Sequence, residues 1–357
     1  MSSLRDYWSK RQFRKEGFSG GDSVVLRSAL HLSRNLQDIP FPERLGPMER
    51  KEISEKIMAR MRRTSAFRRS LCWKLDTLVE EERMALQEWG HISVLDTASY
   101  DGSHLLLVDD GSASVWLCGN HHICWNLFWE GLCLERLWKQ VSRWESSFTN
   151  LKYAFSPVFG YLASDLGEWG SGLCISVTLH IPAIMESGCY DEVVGALQPL
   201  GLKWCSEYRF VSLEFVPVVK IFYDRSSKTL PKEALIVLRE AILLIAAKER
   251  DVRNQLLEKQ KLKIWDRVSR AWGTLFSCQL LPASEALYCL SSLRLGVDIG
   301  WCPEKLRAII DHHARHLLRG TLWLWAETEN FQSEQEDAER ARYIKQFVTV
   351  ENCPIFS

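Results

Sequence analysis

The stretch Phe159-Gly160-Tyr161-Leu162-Ala163-Ser164-Asp165-Leu166-Gly167-Glu168-Trp169-Gly170-Ser171-Gly172-Leu173 runs directly into Cys174-Ile175-Ser176-Val177-Thr178-Leu179-His180-Ile181-Pro182. Four glycines in thirteen residues, followed by alternating apolar positions, describe a loop that needs positive φ or close approach of a ligand before it enters a sheet. Loops of this composition often cradle phosphate through backbone amides. This one carries Asp165 and Glu168 and neither Lys nor Arg, so its own charges repel an anion.

The pattern on either side places that loop in a mixed fold. Residues 1–20 read as a mobile N-terminal arm, and residues 24–35 as a strand. Pro47 opens a helix to about Arg63, with Ile53, Ile57 and Met61 on one face. A second helical stretch covers Ser70 to Gly90. Two apolar runs between His104 and Cys118 flank Asp109-Asp110-Gly111, the composition of a hairpin turn. Residues 131–150 are spaced as a helix with Leu134, Leu137, Val141 and Trp144 inward, and strands are expected at 152–155, 174–181, 204–214 and 217–223. Beyond Asp224-Arg225-Ser226-Ser227 the pattern is helical: 231–272, 283–295, 303–319 and 334–348. The expectation is an α+β fold: residues 21–255 built on a mainly antiparallel sheet flanked by helices, then an all-α domain over 256–357 whose Leu322, Trp323 and Trp325 suit a core or a dimerisation surface.

Composition narrows the function. Lys plus Arg and Asp plus Glu both number 45, so no global field draws in nucleic acid or a membrane surface. The longest apolar run, near Ala241 to Ala247, is too short to span a bilayer. Eleven scattered cysteines fit free thiols in a cytoplasm better than a disulfide framework. The fifteen tryptophans are not interleaved with basic clusters, which favours packing over nucleic-acid stacking.

Several blocks resemble the ATP:guanido phosphotransferases, and within them the bacterial protein-arginine kinases. Gly160-Tyr161-Leu162 and Gly170-Ser171-Gly172-Leu173 frame a loop similar to that family's signature, with His180-Ile181-Pro182 following at the family's distance. Glu82-Arg83, Leu86, Glu88, Ile92 and Ser93 resemble its E-R-x-x-L-x-E-x-H-L-I-S block. Asp266-Arg267-Val268-Ser269-Arg270 and Arg294-Leu295-Gly296-Val297-Asp298-Ile299-Gly300 are similar to the helical domain of the protein kinases. The resemblance spans roughly residues 22–348.

It implies an ATP site gripped by arginines, and at those positions this chain has other residues. The family's S-x-R-x-R motif falls on Arg27-Ser28-Ala29-Leu30-His31, which puts Ala29 and His31 where arginines belong; Arg34 and Asn35 fix the register. N-E-E-D-H-x-R falls on Cys118-Gly119-Asn120-His121-His122-Ile123-Cys124, so the catalytic carboxylate becomes Gly119 or Asn120 and the arginine Cys124. In the signature loop Asp165 replaces the reactive cysteine, Glu168 an asparagine and Cys174 a phosphate-binding arginine. A further arginine falls on Cys205, and the histidine of the Glu88 block falls on Gly90, with His91 one place on. A hydrogen bond to a charged group contributes about 1.5–3 kcal/mol, so losing about five arginines removes roughly 7–15 kcal/mol. Micromolar binding amounts to only about 8 kcal/mol.

The sequence therefore points to a catalytically inactive member of that family: no intact catalytic residue, no cofactor, no bound metal. The resemblance implies a homodimeric scaffold or adaptor in the cytoplasm, with protein partners from the Clp proteolysis and stress-response system. The other reading is an active kinase that uses ATP and Mg to phosphorylate arginine side chains of proteins. A third class, zinc held by Cys118, Cys124, Cys174 and Cys205, lacks any CxxC spacing. His312 and His316, one helical turn apart, read as a solvated helix face. In Glu336-Asp337-Ala338-Glu339-Arg340-Ala341, which resembles the family's phosphoarginine-binding R-D-x-x-R-A, Glu336 stands in place of the leading arginine.

Overall fold

The computed structural model describes residues 4–10, 23–93, 100–108, 111–148, 151–208, 216–224, 231–326 and 331–355. Its centre is an eight-stranded sheet in which every pairing is antiparallel. The strands are β1 (Val25–Arg34), β2 (Leu71–Lys74), β3 (His104–Leu107), β4 (Ala113–Leu117), β5 (Ile123–Glu130), β8 (Leu173–His180), β9 (Leu202–Ser206) and β10 (Val218–Tyr223), and they lie in the order β2-β3-β4-β5-β1-β8-β10-β9. A two-stranded ribbon, β6 (Phe155–Ser156) with β7 (Gly160–Tyr161), stands beside it.

Side chains alternate across a strand, and here the alternation separates two chemistries. One face carries Leu30, Leu32, Trp125, Leu127, Ile175, Val177, Val219 and Ile221, all buried in one large core. Helices α2 (Pro47–Met61), α4 (Leu134–Ser146) and the first half of α7 (Pro231–Ser277) supply its other wall through Ile57, Met61, Leu137, Val141, Leu238 and Ile242. Each such aliphatic side chain contributes about 1.5–3 kcal/mol by leaving water. The opposite face carries Arg27, Ala29, His31, Asn126, Cys174, Ser176, Thr178 and Lys220, which no packing requirement explains.

Helix α7 runs on past the sheet and breaks at Gln260, where φ −136° and ψ 31° leave the helical region. The boundary expected near 255 falls within this helix. Its second half joins α8 (Ala283–Asp298), α9 (Lys305–His313), α10 (Arg319–Trp325) and α11 (Ser333–Ile344) around a separate core that includes Val268, Leu290, Leu293, Leu306, Leu317 and Ile344. Two short helices, α5 (Pro182–Glu186) and α6 (Tyr190–Leu197), connect β8 to β9. No helix among the described residues is long and apolar enough to cross a membrane.

Several expectations need correction. Within the segment read as a mobile arm, Leu4–Lys10 is a helix, α1, because Leu4, Tyr7 and Trp8 bury against Trp73, Leu86 and Leu324. The helical stretch expected over Ser70–Gly90 begins with strand β2, since Trp73 turns inward as Leu71–Lys74 pairs with β3; helix α3 (Glu80–Trp89) starts only where the Val79 amide donates to Glu82. The helix expected over 303–319 ends early: Leu318 is extended, with φ −75° and ψ 150°, and a new helix follows. Residues 209–214 of the strand expected over 204–214, and the turn residues Asp109 and Asp110, lie outside the described residues.

Candidate functional site

The polar face of the sheet is the floor of a cavity of about 280 Å³. Cross-strand register assembles it: His31 sits opposite Asn126 on β5 and Cys174 on β8, Ala29 opposite Phe128 and Ser176, and Thr178 opposite Lys220 on β10. Helix α3 forms a wall with Gln87, Glu88 and Trp89, and the glycine loop contributes Glu168. Ala29, His31, Asn120, Cys124 and Cys174 thus meet in one place, as the resemblance implies.

The remaining candidates are placed differently. His91 lies behind the wall, its Nδ1 3.0 Å from Ser114 Oγ; burial, then the charges of Arg27 and His31, push its pKa down to about 3, so it stays neutral. Cys205 pairs in register with Lys220 and is half-buried. Asp165 turns to its own loop, where it accepts the Gly167 amide at 2.8 Å. Glu168 meets His121 Nε2 at 3.0 Å. Gly170 bonds the ribbon through Tyr161, the Ser171 carbonyl accepts from Arg34, and Gly172, at φ +64°, passes so close to Ser33 and Arg34 that a Cβ would lie 2.6 Å from the Ser33 carbonyl oxygen. The glycines therefore serve loop packing against β1. Gly119 is more telling: a Cβ there would stand 2.2 Å from the Trp116 ring. A carboxylate at that position requires Trp116 to move.

The cavity's charges were less legible. Arg27 shares the face of Ala29 and His31 by simple alternation; its guanidinium donates to the Trp89 carbonyl at 3.0 Å and lies 4.1 Å over the Phe128 ring. Glu207, buried at the base, is met by Lys220 at 3.1 Å and by Arg315 at 2.5 Å. Burial alone would raise its carboxyl, but Lys220, Arg315 and Arg27 hold it well below the usual carboxylate range. Glu88 is also buried, and accepts the Gly320 amide at 2.8 Å, the Thr321 amide at 2.7 Å and the Thr321 hydroxyl at 2.5 Å. Burial raises its pKa to about 7 despite those bonds. It therefore ties α3 to α10 from its place in the cavity wall.

Outside the cavity, the segment that resembles R-D-x-x-R-A is closed on itself. Glu336 pairs with Arg319 at 2.7 Å and with Arg340, whose guanidinium also donates to the Leu317 and Leu281 carbonyls at 2.7 Å each. The four cysteines proposed as zinc ligands do not converge: among the described residues the one grouping of ligand atoms fit for a metal is His312, His313 and His316. Contrary to the expected solvated face, His316 is 1% exposed and the other two are half-buried.

Known proteins resemble this chain in sequence and in fold. Residues 52–209 match the family described as ATP:guanido phosphotransferase, C-terminal catalytic domain, and residues 261–354 match the protein-arginine kinase McsB C-terminal domain. The chain is 28% identical over 345 residues to the protein-arginine kinase of Halothermothrix orenii, covering 96% of this chain and 98% of that one. It is 29% identical over 303 residues to that of Syntrophomonas wolfei, covering 79% of each. Among solved structures, lombricine kinase superposes with a TM-score of 0.56 at 15% identity over 70% of this chain and 71% of that one. The substrate-free duplicated taurocyamine kinase of Schistosoma mansoni gives 0.54 at 16% identity, over 69% of this chain and 38% of that longer one.

Proposed function

From its membership of the ATP:guanido phosphotransferases, in the protein-arginine kinase family, we propose that this chain keeps the kinase scaffold without the chemistry and works as a binding partner for other proteins. The observation that carries the reading is the make-up of the sheet's polar face. Where the resemblance implies phosphate-gripping arginines, this face presents Ala29, His31, Cys124 and Cys174. A triphosphate needs many fixed donors, and thiols and a methyl group supply none of comparable strength. Among the described residues, the cations at the cavity are engaged: Lys220 and Arg315 with Glu207, Arg27 with the Trp89 carbonyl and the Phe128 ring. With Gly119 under Trp116 and Asn120 uncharged, the position that would orient and deprotonate a guanidinium is vacant of carboxylate.

The role that remains is that of a homodimeric scaffold or adaptor in protein quality control, with partners in the Clp proteolysis and stress-response system. Mg-ATP tests it. A ligand that binds the folded state must raise its melting temperature, so millimolar Mg-ATP is expected to leave Tm unchanged and to yield no phosphoarginine on a mixed protein substrate. Saturable stabilisation together with arginine phosphorylation would instead establish the active-kinase reading, in which Arg27 and Lys220 take over the grip on phosphate.

A further inference from the structure

We propose that His312, His313 and His316 form a binding site for one divalent transition-metal ion of the zinc class. Their ligand nitrogens all lie within 4.8 Å of one another. The ring centroids are separated by 4.7 Å, 4.9 Å and 5.4 Å around the triangle. A metal–nitrogen bond of about 2.0–2.1 Å at tetrahedral angles places three imidazole centroids roughly 5 Å apart, so small ring rotations suffice. The spacing arises where α9 tightens into a 3-10 turn, Ala314–Leu317, which brings the adjacent pair 312 and 313 onto the side of 316.

The surroundings resemble the outer shell of a histidine metal site. His316 Nδ1 lies 3.1 Å from the His312 carbonyl oxygen, an acceptor that places the proton on Nδ1 and the lone pair on Nε2. His313 Nδ1 pairs with the Tyr343 hydroxyl at 2.8 Å, and its ring stacks on Phe347 at 3.7 Å. Imidazole binds metal in its neutral form, and here His316 is buried with His312 and His313 half-buried beside it. Arg315, beside His316 in the chain, is turned to Glu207. Three protein nitrogens leave a fourth position for water or another donor.

The test uses the tag-free full-length chain, stripped with chelator, dialysed, and titrated calorimetrically with Zn²⁺ and with Co²⁺, whose visible absorption reports tetrahedral nitrogen ligation. One equivalent per chain is expected, with at least about tenfold weaker binding in His312→Gln and in His313→Gln and none lost in Cys174→Ser. Thermal scans of the metal-free variants report whether the fold is kept. Should either variant melt, paramagnetic broadening of the three imidazole signals by Co²⁺ in the unaltered chain reads the site directly. Absence of saturable binding at submillimolar metal, binding indifferent to both substitutions, or a thiolate charge-transfer band would overturn the proposal.

Discussion

His91, His122 and His180 are each at most 1% exposed, and each is kept neutral chiefly by burial, with pKa values lowered to about 3, 4 and 4. An unfolded histidine takes up its proton near pH 6.5, so between that pH and 4 the unfolded chain binds more protons and stability falls as pH falls. At pH 5 the linkage amounts to about 2 kcal/mol for each ring. Glu88 acts in the opposite sense over the same window, because its raised pKa favours the protonated folded form as pH drops. Three rings outweigh one carboxyl, so Tm is expected to decline between pH 7 and pH 5, and His91→Gln to flatten that decline. A pH-independent Tm would contradict the burial assignment. The site residues follow the same logic of neighbourhood. Ala29, His31, Cys124 and Cys174 were legible because blocks resembling the family's arginine motifs fall on them, and the cross-strand register then brings them to one face. Glu207 and Arg315 were not, since a carboxylate and a guanidinium 108 positions apart announce nothing until the fold brings them to 2.5 Å.

Among elements, the contact between α3 and α10 is the least tolerant. Gly320 packs so tightly that a Cβ would lie 2.4 Å from the Ala85 backbone nitrogen and 2.7 Å from the Met84 carbonyl carbon. Both are backbone atoms, so Gly320→Ala is expected to cost about 1–3 kcal/mol or more in urea denaturation. Glu88→Ala leaves the Gly320 and Thr321 amides and the Thr321 hydroxyl unpaired, for a loss of about 1–3 kcal/mol per orphaned group if water cannot enter. An unchanged midpoint for either variant would refute the described packing. Long helices such as α2 and α4 were readable from spacing. Strand β2 was not, because four residues, Leu71–Lys74, are too few for an alternating pattern to stand out and take their direction from β3. The break at Leu318 was hidden for the same reason: the helical spacing continues through it, and the new start is set by a carboxylate on α3.

At the scale of the molecule, the two cores are tied through Asp298. Its carboxylate, fully buried, meets Arg294 of α8, Arg307 of α9 and, at 3.1 Å, Arg253 of α7, with His180 of β8 at 3.9 Å. His180 Nε2 also lies 2.8 Å from Ser291 Oγ on α8. Asp298→Asn would leave three guanidinium groups without their common anion and is expected to destabilise by about 3–5 kcal/mol. With such ties, unfolding should appear as one calorimetric transition, and two resolved peaks would show the halves to be independent. Arg315 stands in the same 3-10 turn as His316 and reaches under the sheet to Glu207. A ligand that displaced this turn would carry the Arg315 guanidinium, and with it the partner of Glu207, away from the base of the cavity. Were the two compartments coupled in this way, reciprocity would make an occupant of the cavity change affinity at the turn by the same factor.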